Sequence, residues 1–448
     1  MTDLLIIGAG PAGMRAAITA SSNGADVTVV DNRTEPGGNI YAFHRSTRTL
    51  RPTIWNALGS TYHAGTQLVE QFLSANIKYL PRNALWHLDP DGTASVKGPN
   101  GIKTFAPQKV ILATGALERP MPMENWTLPG VMGVGAAQIL LKSGGELPKG
   151  PIIIVGNGPL PLLYASQIMN MGGKIDAFII PKIPRSMLTT VKDLSGSLSG
   201  AWHGKHYLIK GMAYLLKRIT ANVPVYRNAS NFQILGDEYV KTIRFKTNRT
   251  HELAAETVLV HDGVIPNINP AAAAGLELKR SDQQDCWFAK SNDTISIAGD
   301  VGGILGAKAA QISGEIAALT AMDLPVSQNL KTALIKEQKF RQFIDHLYPS
   351  IGSANLANDQ TLICRCEAVS KQTMISSITN TGSDPNRLKT YLRCGMGPCQ
   401  GRICSPSIET IISSETGEKK QNIGFHRIRN PIVPVTLGEL MELDTKTT

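Results

Sequence analysis

The chain has 448 residues, of which 42% are hydrophobic, 18% charged and 6% aromatic. This composition supports two to three globular domains of roughly 100–200 residues each, and excludes both wholesale disorder and a small stapled scaffold. The 45 Lys and Arg exceed the 35 Asp and Glu by ten, but no single block concentrates the excess, which weakens a nucleic-acid reading.

Met1-Thr2-Asp3 leads directly into the apolar run Leu4 to Ile7, without the basic stretch, apolar core and cleavage site of a secretory signal. A cytoplasmic protein is expected. The longest greasy stretch, Leu4 to Ala20, is broken by Gly8, Gly10, Pro11, Gly13 and Arg15, so no transmembrane segment is expected.

That opening reads as a complete dinucleotide-binding unit. A strand from Leu4 to Ile7 is followed by Gly8-Ala9-Gly10-Pro11-Ala12-Gly13, a helix through Met14 to Ser22, and a second strand Val27 to Val30 ending at Asp31. Gly8 permits the tight turn, Gly10 the approach of a pyrophosphate, and Gly13 close packing of helix on strand. The helix N-terminus offers N–H groups to the anion, and Asp31 stands where an acid accepts the ribose hydroxyls of an adenosine.

FAD and NAD share this fingerprint, and two later segments favour FAD. Val110 to Gly115, with Ala113-Thr114-Gly115, is a strand closing on a small-residue turn, and Thr294 to Asp300 is a strand ending in Gly299-Asp300. Both resemble the second and third FAD motifs of the glutathione-reductase-like class. So does Glu35 to Tyr41, whose Gly38, Asn39 and Ile40 are expected along the flavin, with Asn32 and Arg33 beside the acid.

A second unit begins at Pro151 to Val155, followed by Gly156-Asn157-Gly158-Pro159-Leu160-Pro161. Proline replaces the third glycine, and Ile180 stands where the ribose-binding acid belongs. This argues against NAD(P), although Lys182 and Arg185 are candidates for a 2′-phosphate. Neither nucleotide unit holds a redox cysteine pair, which excludes a disulfide reductase. Cys286 is expected to be buried and unreactive.

Five of the six cysteines fall within 41 positions: Cys364, Cys366, Cys394, Cys399 and Cys404. Cys364, Cys366, Cys394 and Cys399 form two pairs suited to a metal centre, and Cys404 is an alternative member. Helices from Ser370 to about Ile378 and from Asp384 to Leu392 would bring the pairs together. Arg365, Arg393 and Arg402 are expected to offset thiolate charge. Structural zinc suits four cysteines equally well, but the single-residue gap between Cys364 and Cys366 is tighter than usual zinc spacing and favours a 2Fe-2S cluster.

With these residues in view, the chain resembles FAD/NAD(P)-dependent oxidoreductases that carry a domain similar to bacterioferritin-associated ferredoxin. Ala113 to Pro120, Leu128 to Met132 and Cys394 to Arg402 look like the A subunits of octopine and nopaline oxidases, relatives of the larger subunits of amino-acid dehydrogenases and cyanide synthase. The resemblance implies a cytoplasmic subunit, with room for peripheral attachment at the inner membrane. A smaller B-type flavoprotein partner would oxidise an opine, giving arginine and a 2-oxo acid, and electrons would pass to an acceptor other than NAD. A further small subunit, and FMN shared with a partner as in the sarcosine oxidase group, belong to the same expectation.

No catalytic residue emerges, since the nine histidines are scattered and no HExxH occurs. The expected fold is α/β: two Rossmann-like dinucleotide-binding domains and a small helical 2Fe-2S domain. An FAD domain (1–120 and 285–325) encloses a second nucleotide-type domain (121–284), followed by a helical linker (326–354), the cluster domain (355–410) and a tail (411–448). The helix-period stretch His206 to Arg218, with Leu208, Met212, Leu215 and Leu216, is read as core. The competing functional readings are an NAD(P)H-dependent ferredoxin-type reductase and a zinc-stabilised structural or regulatory flavin-binding subunit.

Overall fold

The computed structural model describes residues 3–183 and 198–444. Its first sheet has five parallel strands in the order Ile295–Ile297, Lys109–Leu112, Leu4–Ile7, Val27–Val30, Lys78–Leu80. This is the doubly wound arrangement, and Leu4–Ile7 and Val27–Val30 are buried throughout because both faces are covered. Leu4, Ile6, Val27 and Val29 turn toward the helices Pro11–Ser22 and Ala307–Ala321. Leu5, Ile7 and Val30 turn the other way, against the antiparallel strands Ala84–Leu88 and Ala94–Gly98 and the C-terminal Ile428 and Ile432.

The two covering helices meet backbone to backbone. A Cβ at Gly314 would lie 2.1 Å from the carbonyl oxygen of Ala12, so only glycine allows the contact.

The second sheet has seven strands, in the order Thr250–Ala254, Val240–Lys246, Val225–Gly236, Ala177–Pro181, Ile152–Gly156, Thr257–His261, Val131–Gly133. Its first three strands pair antiparallel with one another, and the remaining four pairings are parallel. Ile152 and Ile154 face the helical side shared with the first body, whereas Ile153 and Val155 face a cluster that includes Ile351, Leu356 and Ile403. The ribbon pairing Ala116–Glu118 with Val264–Pro266 links the two bodies.

One expectation about packing fails. Helix Lys205–Thr220 keeps Tyr214 and Leu215 against the core, but Met212 and Leu216 are 71% and 61% exposed. The helix has apolar residues on two sides, and its packing on Pro159–Asn170 covers one of them.

Helices Lys371–Thr381 and Pro385–Leu392 form at the cysteine-rich end, capped by Ser370, which accepts from Thr373 N–H, and Asp384, which accepts from Asn386 N–H. Helix Gln328–Leu347 precedes them, capped by Ser327. The module is fastened to the nucleotide bodies by buried polar contacts. Arg280, 5% exposed at its side chain, donates to Glu409 at 2.8 Å and pairs with Asp282 and Asp285. Trp287 Nε1 donates to the same Glu409 oxygen at 3.0 Å, and Lys420 reaches Asp285 at 2.9 Å. Burial acts to raise the Asp285 carboxyl but is outweighed by Arg119, Lys420 and Arg280, which hold it below its usual range. On the other flank Trp126 Nε1 donates to the Leu362 carbonyl at 2.8 Å.

Among the described residues, no helix is long and apolar enough to cross a membrane.

Two outcomes follow from this packing. Arg280→Ala leaves Glu409 and Asp285 buried without their shared cation and is expected to cost about 3–5 kcal/mol, read from denaturant unfolding. His44 is buried against Trp55 and Tyr62, and burial, aided by Arg48, lowers its pKa from 6.5 to about 4. The unfolded chain therefore takes up this proton first, so stability falls as pH drops from 6.5 toward about 4. His44→Gln is expected to flatten that slope in thermal unfolding across pH.

Candidate redox sites

The strands Ile295–Ile297, Lys109–Leu112, Leu4–Ile7 and Val27–Val30 of the first sheet release their chain at the same carboxyl edge, which places Gly8, Asp31, Ala113 and the Gly299-Asp300 pair around one crevice. Gly8 has φ +106°, and a Cβ there would stand 2.4 Å from the Ala113 carbonyl oxygen. A Cβ at Gly13 would stand 1.8 Å from the Gly8 carbonyl oxygen. Gly10 differs: the nearest atom to a Cβ there is the Gly38 Cα at 3.7 Å, so the protein's own packing leaves this position open. Pro11, Ala12 and Gly13 form the first turn of the helix beyond it.

The carboxylate of Asp31 is drawn into the loop, accepting Ala9 N–H at 2.6 Å and Arg33 N–H at 2.7 Å. Burial pushes its pKa up against the pull of those two amides, and each oxygen keeps a lone pair for a further donor. Asn32 is exposed. The Arg33 guanidinium donates to Asn39, whose amide donates to the Ala116 carbonyl at 3.1 Å. Gly37 N–H donates to the Ala9 carbonyl, laying the 37–41 loop over the first turn.

Thr114 Oγ1 donates to the Asn267 carbonyl at 2.9 Å beside Gly115, while Asn267 Oδ1 is buried with no partner in the structure. Across the crevice Asp300 Oδ1 accepts from Leu305 N–H at 3.0 Å, and burial pushes this carboxyl up as well. The residues thus fit a dinucleotide: an open glycine position, two carboxylates, a guanidinium and a helix N-terminus face one space.

Lys142, a group the sequence did not disclose, closes this site from behind. It lies on helix Val134–Gly144 of the second body, and its ammonium donates to the carbonyls of Asn39 and Ile40 and to Gln138. Burial, with Arg33 adding repulsion, lowers its pKa to about 7. A lone lysine in an apolar helical pattern was its only signal.

The second glycine loop is built differently. Pro159 and Pro161 carry no N–H in the first helical turn, and Gly158 N–H is taken by Asn157 Oδ1 at 3.0 Å. The His261 ring rests against Gly158, its Nδ1 held by Glu118 at 2.7 Å. Ile180 lies within the strand Ala177–Pro181 and provides no carboxylate. This loop does not fit NAD(P) as the first fits its nucleotide. Lys182 is exposed, and Arg185 lies outside the described residues.

At the C-terminal end the five cysteines gather in two touching sets. The thiols of Cys394 and Cys404 hydrogen-bond Cys364, which with the N–H groups of Glu367 and Gly395 lowers the Cys364 pKa to about 2. Cys366 and Cys399 form the other set. A Cβ at Gly397 would stand 2.3 Å from the Cys366 Cβ, so glycine is what lets the two loops close. Sulfur from both loops, backbone N–H groups aimed at it and a glycine-lined approach suit a two-iron cluster.

Two of the three arginines expected to offset thiolate charge are engaged elsewhere. Arg365 lies over the Trp126 ring at 5.3 Å and Arg393 pairs with Glu367 at 2.9 Å, because an aromatic face and a carboxylate lie closer to hand. Arg402 remains close enough to feel the Cys399 charge, and donates to the Cys399 carbonyl at 3.3 Å. His426, another residue the sequence did not disclose, is wedged between Gly395 and Gly401, with Nε2 3.0 Å from Ser405 Oγ. Cys286 is buried, and burial pushes its thiol up to about 11, as an unreactive cysteine requires.

Residues 2–315 match the family model for pyridine nucleotide-disulphide oxidoreductases, and residues 362–414 match the BFD-like [2Fe-2S] binding domain. The chain is 36% identical to the opine oxidase A subunit of Agrobacterium tumefaciens (strain Ach5), across 98% of this chain and 92% of that one. It is 28% identical to the HcnB subunit of hydrogen cyanide synthase from Pseudomonas protegens, across 96% of each. Among solved structures, L-proline dehydrogenase from P. horikoshii superposes with a TM-score of 0.70 at 20% identity, covering 98% of this chain and 79% of that one, and so shares the fold. The chain is a flavin and 2Fe-2S oxidoreductase subunit of the pyridine nucleotide-disulphide oxidoreductase class, and within it belongs to the family of opine oxidase A subunits.

Proposed function

We propose that this chain is the electron-transfer subunit of a multi-subunit opine oxidase that acts on CH–NH donors. Octopine or nopaline is cleaved oxidatively on a smaller flavoprotein companion, and the electrons pass through this chain to an acceptor other than NAD. The observation that carries the reading is the joining of two electron-carrier sites in one chain, with the cysteine module locked by Arg280 and Glu409 to the body that bears the nucleotide crevice. When bound, FAD and a 2Fe-2S cluster would supply electron exchange in pairs and singly, respectively.

In this reading Gly8, Gly10, Pro11, Ala12 and Gly13 receive the pyrophosphate. Asp31, Asn32 and Arg33 hold the adenosine side, and Gly38, Asn39 and Ile40 line the dinucleotide. Ala113, Thr114 and Gly115 close one wall, and Gly299 and Asp300 the other. Cys364, Cys366, Cys394 and Cys399 hold the cluster, with Cys404 able to replace Cys394 because both touch Cys364. Lys142 fixes the Asn39–Ile40 loop by binding both of its carbonyls. A second flavin, FMN, at the companion's surface belongs to the same proposal, as do the domain limits drawn from the sequence. The second nucleotide-type body serves as scaffold.

The test is to purify the chain with its companion and assay octopine and nopaline with an artificial dye as acceptor. Turnover is expected, with iron and acid-labile sulfide present. Zinc without iron would overturn the cluster assignment and favour the structural reading. Cys399→Ser is expected to lose iron and to lower dye turnover by at least about tenfold, with the flavin absorbance retained. NADH or NADPH added anaerobically to the isolated chain is expected to leave the flavin band unbleached. Bleaching would restore the reading as a pyridine-nucleotide-dependent reductase.

A further inference from the structure

We propose that the side chain of Asn269 is the bridge by which electrons pass between the dinucleotide crevice and the cysteine loops. The inference rests on the reading of the chain as a subunit that carries both a flavin and a two-iron cluster, and adds the route between them.

The route begins on the crevice wall, where Asn267 N–H donates to the Gly115 carbonyl at 2.9 Å and Thr114 Oγ1 donates to the Asn267 carbonyl at 2.9 Å. The strand just before it, Val264–Pro266, packs beside the turn Gly299–Gly302 that carries Asp300. Two residues beyond Asn267, Asn269 is 3% exposed, and its Nδ2 donates to the Gln400 carbonyl at 2.7 Å. Gln400 is bonded to Cys399. Two residues of backbone reach at most about 7 Å, so one hydrogen bond completes a short bonded path from the crevice wall to a cysteine.

The far end of that bond is held with care. Gln400 has φ +47°, a left-handed conformation that a residue with a side chain keeps only where its surroundings impose it, and such positions gather at functional sites. Its N–H donates to the Gly397 carbonyl at 2.8 Å and its Nε2 to the Met396 carbonyl at 3.1 Å, leaving the backbone carbonyl to Asn269. Beside the bond, a cleft of about 450 Å³ lined by Leu117, Pro266, Trp287, Arg402 and Ser405 parts the nucleotide body from the cysteine module. Electrons tunnel better through bonds than across such a gap. The other fastenings start elsewhere: Trp126 from the core of the second sheet, and Arg280 from the strand Leu278–Ser281.

One electron at a time would leave the reduced flavin and turn one ferric iron of the cluster ferrous. No bond in the bridge is made or broken, and the protons given up by the flavin go to solvent.

The test uses the full-length chain, reduced with dithionite, freed of excess and mixed in a stopped-flow cell with ferricyanide, which takes one electron at a time. The flavin band is expected to recover faster in the parent than in the cluster-free Cys399→Ser variant. Asn269→Leu keeps the volume but replaces the bond by van der Waals contact at about 3.5–4.0 Å, and is expected to slow the cluster-dependent recovery by about tenfold. Both midpoint potentials and the electron paramagnetic resonance of the reduced cluster should stay as in the parent. Asn269→Ala, milder in its demands on packing, should slow recovery likewise. Trp126→Phe, which removes the other flank's hydrogen bond to the module, should leave the rate unchanged. Recovery at the parent rate in both Asn269 variants, equal slowing by Trp126→Phe, or slowing matched by a shifted potential would each overturn the bridge alone. A chain that lacks iron or flavin, or a parent no faster than Cys399→Ser, would overturn it together with the two-carrier reading.

Discussion

Arg280 is withdrawn from water and surrounded by Asp282, Asp285 and Glu409, and the relation between the two halves of the molecule depends on that arrangement. A guanidinium so placed is costly to bury and more costly to abandon, because Glu409 would then stay buried with only the Trp287 N–H, and Asp285 would lose one of its three cations. The planar fork meets its three carboxylates from three separate nitrogens in fixed directions, a geometry that the single nitrogen of lysine does not offer. Glu409 belongs to the helix that begins just after Cys404, and Asp285 to the turn before the strand Cys286–Ala289. The ion group therefore ties sulfur-bearing loops to the nucleotide body through fixed secondary structure.

The parts of the molecule legible in the sequence were those governed by local rules. The glycine loop, the strand–helix–strand alternation and the capped helices after Ser370 and Asp384 all follow from backbone sterics and hydrogen-bond accounting within a few residues. What escaped depends on contacts far apart in the chain. Lys142 meets Asn39 across about a hundred residues, Glu118 meets His261 across more, and His426 fills a hollow made by two glycines of the cysteine loop. Period alone also could not tell which of two apolar sides of Lys205–Thr220 would be covered, since both follow helical spacing.

The two glycine loops show how one architecture is kept while its chemistry is changed. In the first, the position that a nucleotide must approach is left open and two carboxylates line the crevice. In the second, two prolines remove donors from the helix start and an imidazole occupies the approach. Neither change disturbs the strand Ile152–Gly156, which is buried along its length between parallel neighbours. Sheet and ligand site are thus separable demands on the same segment.

Cys364, Cys394 and Cys404 are sealed in the interior and Cys399 is half covered, whereas Cys366 opens to solvent. Anything the sulfurs hold in common would have an inner pole insulated by protein and an outer pole at the surface. Tunnelling falls off steeply with distance, so traffic with a mobile carrier would run through that outer pole. The neighbouring Met396, itself exposed, would then form part of the landing zone.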